Sequence, residues 1–111
     1  MEPPARTFSI EHHADSDCHI VTVLGDLDIF STPDFSAALE RALGTPRLII
    51  DLSHCHYIDS SGISTLFRSQ QKSRGKVRLV IGGQEMIHRI FKLTRVDKFI
   101  EIFTTVDEAK A

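Results

Sequence analysis

Cysteine is scarce in this sequence, and its two copies, Cys18 and Cys55, are too few for a disulfide framework. The opening residues, MEPP, contain no apolar core of the kind that a secretory leader needs. No apolar stretch is long enough to cross a bilayer. We therefore expect a cytoplasmic protein with reduced thiols and no direct insertion into a membrane.

A surplus of positive charge is missing as well. The formal net charge is -2 at pH 7, so no general basic field exists that would hold nucleic acid. Basic residues gather at one place, and we interpret them as a solvated face that could also meet an acidic partner: Arg68, Lys72, Arg74, Lys76 and Arg78.

The chain also lacks internal repeats and any linker between domains. Its 111 residues, 41% of them hydrophobic, suit a single soluble domain with one core. Pro3 and Pro4 indicate a short disordered leader. We therefore expect the leader to cover residues 1–6 and one domain to cover residues 7–111.

Hydrophobic periodicity predicts five strands and four helices in an α/β fold. Alternating or β-branched segments predict the strands at residues 7–13, 19–24, 47–52, 77–81 and 99–103. Apolar spacings of three and four predict inward helix stripes: Phe35, Ala38, Leu39, Ala42 and Leu43; Ile63, Leu66 and Phe67; Ile87, Ile90 and Phe91. Residues 105–111 complete the order β-β-α-β-α-β-α-β-α, which implies an opening antiparallel hairpin followed by parallel strands.

The start of the first helix is marked by Thr32-Pro33-Asp34. We predict Thr32 as the N-cap and Pro33 as the first helical residue, with Asp34 favoured by the helix dipole.

Residues 58–62, IDSSG, lie where a buried strand gives way to the second helix. The first amides of a helix lack intrahelical partners and carry partial positive charge, so this position favours an anion, including a phosphoserine. A simpler interpretation is that Asp59 or Ser60 caps the helix while Gly62 allows close packing. On the motif alone the cap is the favoured interpretation, because serine and aspartate are common N-caps.

Three stretches resemble, in order and spacing, the STAS domains and specifically the anti-sigma factor antagonists. They are GDLD at residues 25–28, LIIDLS followed by YIDSSGI at residues 48–63, and IFKLTRVDKF at residues 90–99. The resemblance covers nearly the whole chain. It implies a STAS-like mixed sheet packed with helices, and a binding module rather than an enzyme, without a cofactor.

The resemblance also implies a partner-switching cycle. The unphosphorylated chain would bind an anti-sigma factor with serine kinase activity and so release a sigma factor. Phosphorylation of Ser60 by that kinase would weaken binding, and a metal-dependent serine phosphatase would reset the chain. The implied partner-binding residues lie in two loops: Asp26, Asp28, Asp59, Ser60, Ser61 and Gly62.

The choice of Ser60 over Ser61 comes from the resemblance alone. Extending the apolar stripe of the second helix backward places Ser61 further from the core, which makes Ser61 the more accessible hydroxyl on periodicity. Ser60 is therefore the first candidate for phosphorylation and Ser61 the second.

Two other roles are compatible with the same fold. A STAS accessory subunit of a lipid ABC transporter, or a component of a stressosome-type assembly, would use the same fold without phosphorylation of the serine. The motif is not the G-x-S-x-G elbow of serine hydrolases. His54, Cys55 and His56 could ligate zinc, but neighbouring side chains in an extended segment point to opposite faces, and we predict no metal site.

Overall fold

The computed structural model describes residues 8–15 and 17–111, so the expected leader at residues 1–6 lies outside the described part. The strands are β1 (Ser9–Asp15), β2 (Cys18–Leu24), β3 (Arg47–His54), β4 (Val77–Val80) and β5 (Glu101–Phe103). The helices are α1 (Thr32–Ala42), α2 (Ser60–Lys72), α3 (Glu85–Thr94), α4 (Val96–Phe99) and α5 (Val106–Lys110). No helix in the described ranges is long and apolar enough to span a membrane.

The strands form one sheet in the order β1-β2-β3-β4-β5. β1 and β2 pair antiparallel, and every later pair is parallel. At the centre of the sheet, Ile50 of β3 lies opposite Val21 and Leu79, and all three side chains are fully buried. The mixed α/β sheet predicted from the sequence is confirmed.

The two faces of the sheet are covered unequally. Four helices, α1 to α4, pack on one face over the larger core, to which the predicted stripes contribute Phe35, Ala38, Leu39, Ala42, Ile63, Leu66, Ile87 and Phe91. Leu43, Phe67 and Ile90, also predicted to face inward, are half-buried and pack against that core. Among the described elements, only α5 covers the second face, over a smaller cluster: Cys18, Ile20, Ile49, Val80 and Ala109.

One helix was not predicted. The strand expected at residues 99–103 begins only at Glu101, because Val96–Phe99 forms the one-turn helix α4. Arg95 ends α3 in the left-handed conformation, with φ of 64°, and the buried Val96 then directs the chain into a new turn. Phe99 is consequently exposed, and its ring stacks edge-on against Phe67 at 5.3 Å.

The start of α1 also differs from the prediction by one residue. Ser31 is the N-cap, and Thr32 is already helical. The cause lies upstream: the carbonyl oxygen of Asp28 accepts hydrogen bonds from the Ser31 amide at 3.1 Å and the Thr32 amide at 2.9 Å, which turns the chain early. Strand bounds shift by about two residues at β1 and at the end of β3, a common disagreement at element ends.

Candidate functional site

The loop after β2 and the loop before α2 are joined by backbone hydrogen bonds. The Leu27 amide donates to the Tyr57 carbonyl at 3.0 Å, and the Asp59 amide donates to the Leu27 carbonyl at 3.0 Å. This isolated parallel bridge pairs Leu27 with Ile58, and both side chains are buried. Two segments that lie about thirty residues apart in the chain therefore form one surface, which includes the two sets of site residues predicted from the sequence.

The carboxylate of Asp59 caps α2 and holds the neighbouring loop. Its Oδ1 atom accepts hydrogen bonds from the Ser61 amide at 2.9 Å, from the Gly62 amide at 3.3 Å and from the Ser61 hydroxyl. Its Oδ2 atom accepts from the Ile29 amide at 3.2 Å. Partial burial alone would raise the pKa of Asp59, but these hydrogen bonds outweigh it and hold the pKa below its usual value. Asp59 is therefore a negative charge at the centre of the site.

The two serines have different surroundings. Ser60, the first residue of α2, is exposed. Ser61 is half-buried; its hydroxyl donates to Asp59 and accepts a long hydrogen bond, 3.5 Å, from the hydroxyl of Thr32 on α1. The expectation from periodicity, that Ser61 is the more accessible hydroxyl, is wrong. The Asp59 cap draws Ser61 toward α1, and this local contact overrides the stripe at the first helical turn.

Gly62 allows α2 to begin close to the Leu27–Ile58 bridge. A Cβ atom at Gly62 would lie 2.6 Å from Cγ1 of Ile58 and 3.1 Å from Cβ of Leu27. Real Cβ contacts are essentially never as short as 2.6 Å, so a larger residue would displace either the helix start or the buried Ile58 side chain. The close-packing role expected for Gly62 is confirmed.

Asp26 and Asp28 shape the neighbouring loop in different ways. Asp28 is buried, and its Oδ1 atom accepts hydrogen bonds from the amides of Phe30 at 2.9 Å and Ser31 at 3.1 Å. The carbonyl oxygen of Asp26 accepts a 2.7 Å hydrogen bond from the Ser31 hydroxyl. A pocket of about 440 Å³ opens beside this loop, and Asp26, Asp34 and the ring of Phe30 contribute to its lining.

A model of the STAS domain matches residues 9–109. The chain belongs to the STAS domain family. It is 28% identical over 100 residues to the anti-sigma-B factor antagonist of Staphylococcus epidermidis, a match covering 86% of this chain and 92% of that protein. It is 25% identical over 114 residues to the anti-sigma-F factor antagonist RsfB of Mycobacterium tuberculosis, with 96% and 88% covered. The crystal structure of an anti-sigma factor antagonist from Mycobacterium paratuberculosis superposes with a TM-score of 0.84 at 24% identity, over 93% of this chain and 91% of that one.

Sequence reasoning missed two residues of this STAS domain that lie beside residues 57–61, which we call the serine loop. Ile29 is 67% exposed and Phe30 is 80% exposed. The signal was present, because two large apolar residues follow Asp28 directly in a short turn before a helix start, where polar residues are usual. Exposed apolar pairs of this kind indicate an interaction surface when they lie next to a candidate site.

The other polar candidates are His54, Cys55 and His56, which directly precede the loop before α2, and the basic residues that follow it. Cys55 is fully buried, its thiol donates to the Tyr57 carbonyl, and burial raises its pKa, whereas His54 and His56 are exposed. No group of three or more potential metal ligands occurs among residues 8–15 and 17–111. The basic residues do not form one face. Lys72 pairs with Glu40, while Arg78 donates to the backbone carbonyls of Ala109 and Ala111, at the end of α5 on the opposite face of the sheet.

Proposed function

We propose that this STAS domain is a cytoplasmic anti-sigma factor antagonist that works by partner switching. In its unphosphorylated form it binds an anti-sigma factor that is also a serine kinase, and the sigma factor is released. The kinase transfers the γ-phosphoryl group of ATP to the Ser60 hydroxyl, leaving ADP, and the modified chain loses affinity. A metal-dependent serine phosphatase removes the phosphate. The chain acts as a regulated binding module and performs no catalysis itself.

The accessibility of Ser60 is the observation that carries the proposal. Its hydroxyl lies on an exposed residue at the start of α2, where a kinase can reach it. The Ser61 hydroxyl, in contrast, is engaged with Asp59 and Thr32, and phosphorylation there would break both contacts. The names of the two curated relatives, both antagonists of anti-sigma factors, support the same role.

The charge at the site suggests why phosphate would weaken binding. A phosphate on Ser60 adds about -1.5 to -2 charges at neutral pH. Asp59, the preceding residue, is held in its ionised form by four hydrogen bonds. The helix amides that could bind the phosphate already donate to Asp59, so the phosphate would gain little from the helix start. It would instead remain strongly hydrated and project into any partner contact. Binding is thus weakened without a change of fold.

Phosphorylation can be tested by incubating the full chain with each anti-sigma factor kinase of the source organism and ATP, followed by mass spectrometry. We expect one phosphate on Ser60, absent in Ser60→Ala. Ser64→Ala is the matched control, because Ser64 is exposed one turn later on the same helix, and it should be phosphorylated like the wild type. Phosphate confined to Ser61, or no phosphate with any of these kinases, would contradict the proposal.

The effect of charge on affinity is tested by two substitutions at the same position. Ser60→Ala should bind the anti-sigma factor permanently, even in the presence of ATP. Ser60→Asp, which places a negative charge beside Asp59, should bind poorly. Equal affinities of the two variants, measured by isothermal titration calorimetry, would contradict a switch driven by charge.

A further inference from the structure

The turn at residues 29–30 presents two apolar side chains to solvent next to the serine loop. The exposed fraction is 67% for Ile29 and 80% for Phe30, which places Phe30 among the most exposed large apolar residues of the described chain. Exposing such side chains does not stabilise the fold, since the hydrophobic effect favours their burial. We call this pair, Ile29 and Phe30, the apolar tip.

The backbone of the apolar tip is hydrogen-bonded to the site itself. The Ile29 amide donates to Oδ2 of Asp59, and the Phe30 amide donates to Oδ1 of Asp28 at 2.9 Å. The same Asp59 carboxylate caps α2 through Oδ1, so a single side chain connects the tip to the residue that follows Ser60. A backbone that is already hydrogen-bonded loses little conformational freedom on binding, which favours its side chains as anchors of an interface.

The charge around the apolar tip indicates the chemistry of its partner. The two segments that form this surface, residues 25–34 and 57–64, contain no lysine or arginine. Of their four carboxylates Asp28 is buried, and the ones at least partly exposed are Asp26, Asp34 and Asp59. A complementary surface would offer an apolar depression for the two side chains, surrounded by basic residues. Any kinase that phosphorylates Ser60 must also cover the surface beside it, because phosphoryl transfer requires contact with the hydroxyl.

We infer that the apolar tip is the main anchor by which the unphosphorylated chain binds its anti-sigma factor, in an apolar depression with a basic rim. This inference rests on the proposed function and adds which residues provide the affinity. It also accounts for the local action of the phosphate. A hydrated dianion on Ser60 would adjoin both an apolar contact, which excludes water, and the Asp59 carboxylate, which repels it. Burying the phosphate beside this contact carries a desolvation cost, which can exceed the attraction of the phosphate to a basic rim.

The test measures the dissociation constant of the anti-sigma factor for the unphosphorylated full chain and for Ile29→Ser and Phe30→Ser. Truncating a central apolar anchor of an interface typically raises the dissociation constant by roughly 10- to 100-fold. We expect the rise for Phe30→Ser to fall in this range. Leu93→Ser is the matched control, since Leu93 is 77% exposed on α3 and lies outside both site segments. It should bind within about twofold of the wild type.

A second measurement separates weak docking from a damaged site. The kinase should phosphorylate Phe30→Ser with a raised KM and a nearly unchanged kcat, because Ser60 and its surroundings are left intact. Tip variants that bind like the wild type would overturn this inference and leave the proposed function in place. A loss in Leu93→Ser as large as in Phe30→Ser would overturn it as well. If the wild type binds no anti-sigma factor, both the inference and the proposed function fail.

Discussion

α2 and α3 begin at equivalent places in the fold, each after a parallel strand, but their first turns are held in different ways. At α2, the Asp59 carboxylate accepts two backbone amides of the helix and the Ile29 amide of the neighbouring loop. At α3, the N-cap Gln84 makes no side-chain cap. Its Nε2 atom instead donates to the carbonyls of Leu52 at 2.7 Å and Cys55 at 2.8 Å.

The difference shows that a helix start is not a site by virtue of its dipole alone. The α2 start combines an ionised cap, an exposed hydroxyl on Ser60 and an apolar tip, and the Asp59 carboxylate joins the cap to the tip. The α3 start serves as a support, because Gln84 is hydrogen-bonded to the end of β3 at Leu52 and to the following loop at Cys55. Substitutions at the two helix starts should therefore differ in how much stability they remove, in the pH dependence of that loss and in their effect on binding.

The largest effect is expected where the α2 start is packed most tightly. Gly62→Val would place side-chain atoms within the space of Ile58 and should lower the free energy of unfolding by about 3 kcal/mol, at the upper end of typical overpacking costs. Gly83→Val, next to the α3 start, is the control: a Cβ atom there meets nothing within 4 Å. Urea unfolding of both variants measures the contrast, and similar losses would show that the two starts are packed alike.

Removing the cap of α2 should cost less. Asp59→Ala removes the acceptor of two helix amides and the link to Ile29, and we expect a loss of about 2 kcal/mol in the free energy of unfolding. Asp59→Asn keeps an acceptor oxygen at the N-cap and should lose less than half of that amount. Thermal unfolding of the two variants provides the measurement. Equal losses would mean that the charge of Asp59, rather than its acceptor geometry, holds the helix start.

The hydrogen bonds of Gln84 at the α3 start should contribute less to stability than the Asp59 cap. Gln84→Ala removes the donor to two buried carbonyls, but it also removes a buried amide oxygen that has no partner among the described residues, and the expected loss is about 1 kcal/mol. Gln71→Ala, at an exposed position on α2, is a matched control expected to change stability by less than about 0.5 kcal/mol. A loss at Gln84 no larger than at Gln71 would remove its role as a support.

A smaller contrast should appear in the pH dependence of stability. Hydrogen bonds lower the pKa of Asp59 despite its partial burial, so its contribution is fully present above the unfolded value of about 3.9 and is lost as the pH falls through the lower folded value. The stability difference between the wild type and Asp59→Asn should thus be constant from pH 7 to 5 and shrink below about pH 4. The difference for Gln84→Ala, which involves no titrating group, should stay constant over the same range.

Much of the fold was predictable because the signals were periodic. The continuous apolar run around Ile50 predicted a central strand, and spacings such as Phe35 to Leu39 predicted inward helix faces. The helix α4 was missed because four residues are too few to show a helical period, and its start depends on the left-handed Arg95. Tertiary context decided these residues, and local pattern could not.

The site was predictable only in part. The motifs located both loops, but the hydrogen bond from Ile29 to Asp59 joins residues 30 apart and follows from the parallel bridge at Leu27. The relative exposure of Ser60 and Ser61 likewise depends on the cap and on α1, neither of which enters a periodicity argument. The apolar tip was overlooked because exposed apolar residues in a turn have no periodic signal.

The smallest change in the free energy of unfolding is expected for Ser60→Ala. Comparison of this variant with Ser61→Ala distinguishes the two serines most sharply. Ser61→Ala removes the hydroxyl hydrogen bond to Asp59 and should cost about 1 kcal/mol. Ser60→Ala should change the free energy of unfolding by less than about 0.5 kcal/mol, because the residue is exposed and the cap belongs to Asp59. Urea unfolding of both variants tests this order. A serine that the fold does not need can be modified without unfolding the chain, as a reversible switch requires. A larger loss at Ser60 than at Ser61 would make Ser60 a structural residue and weaken its candidacy.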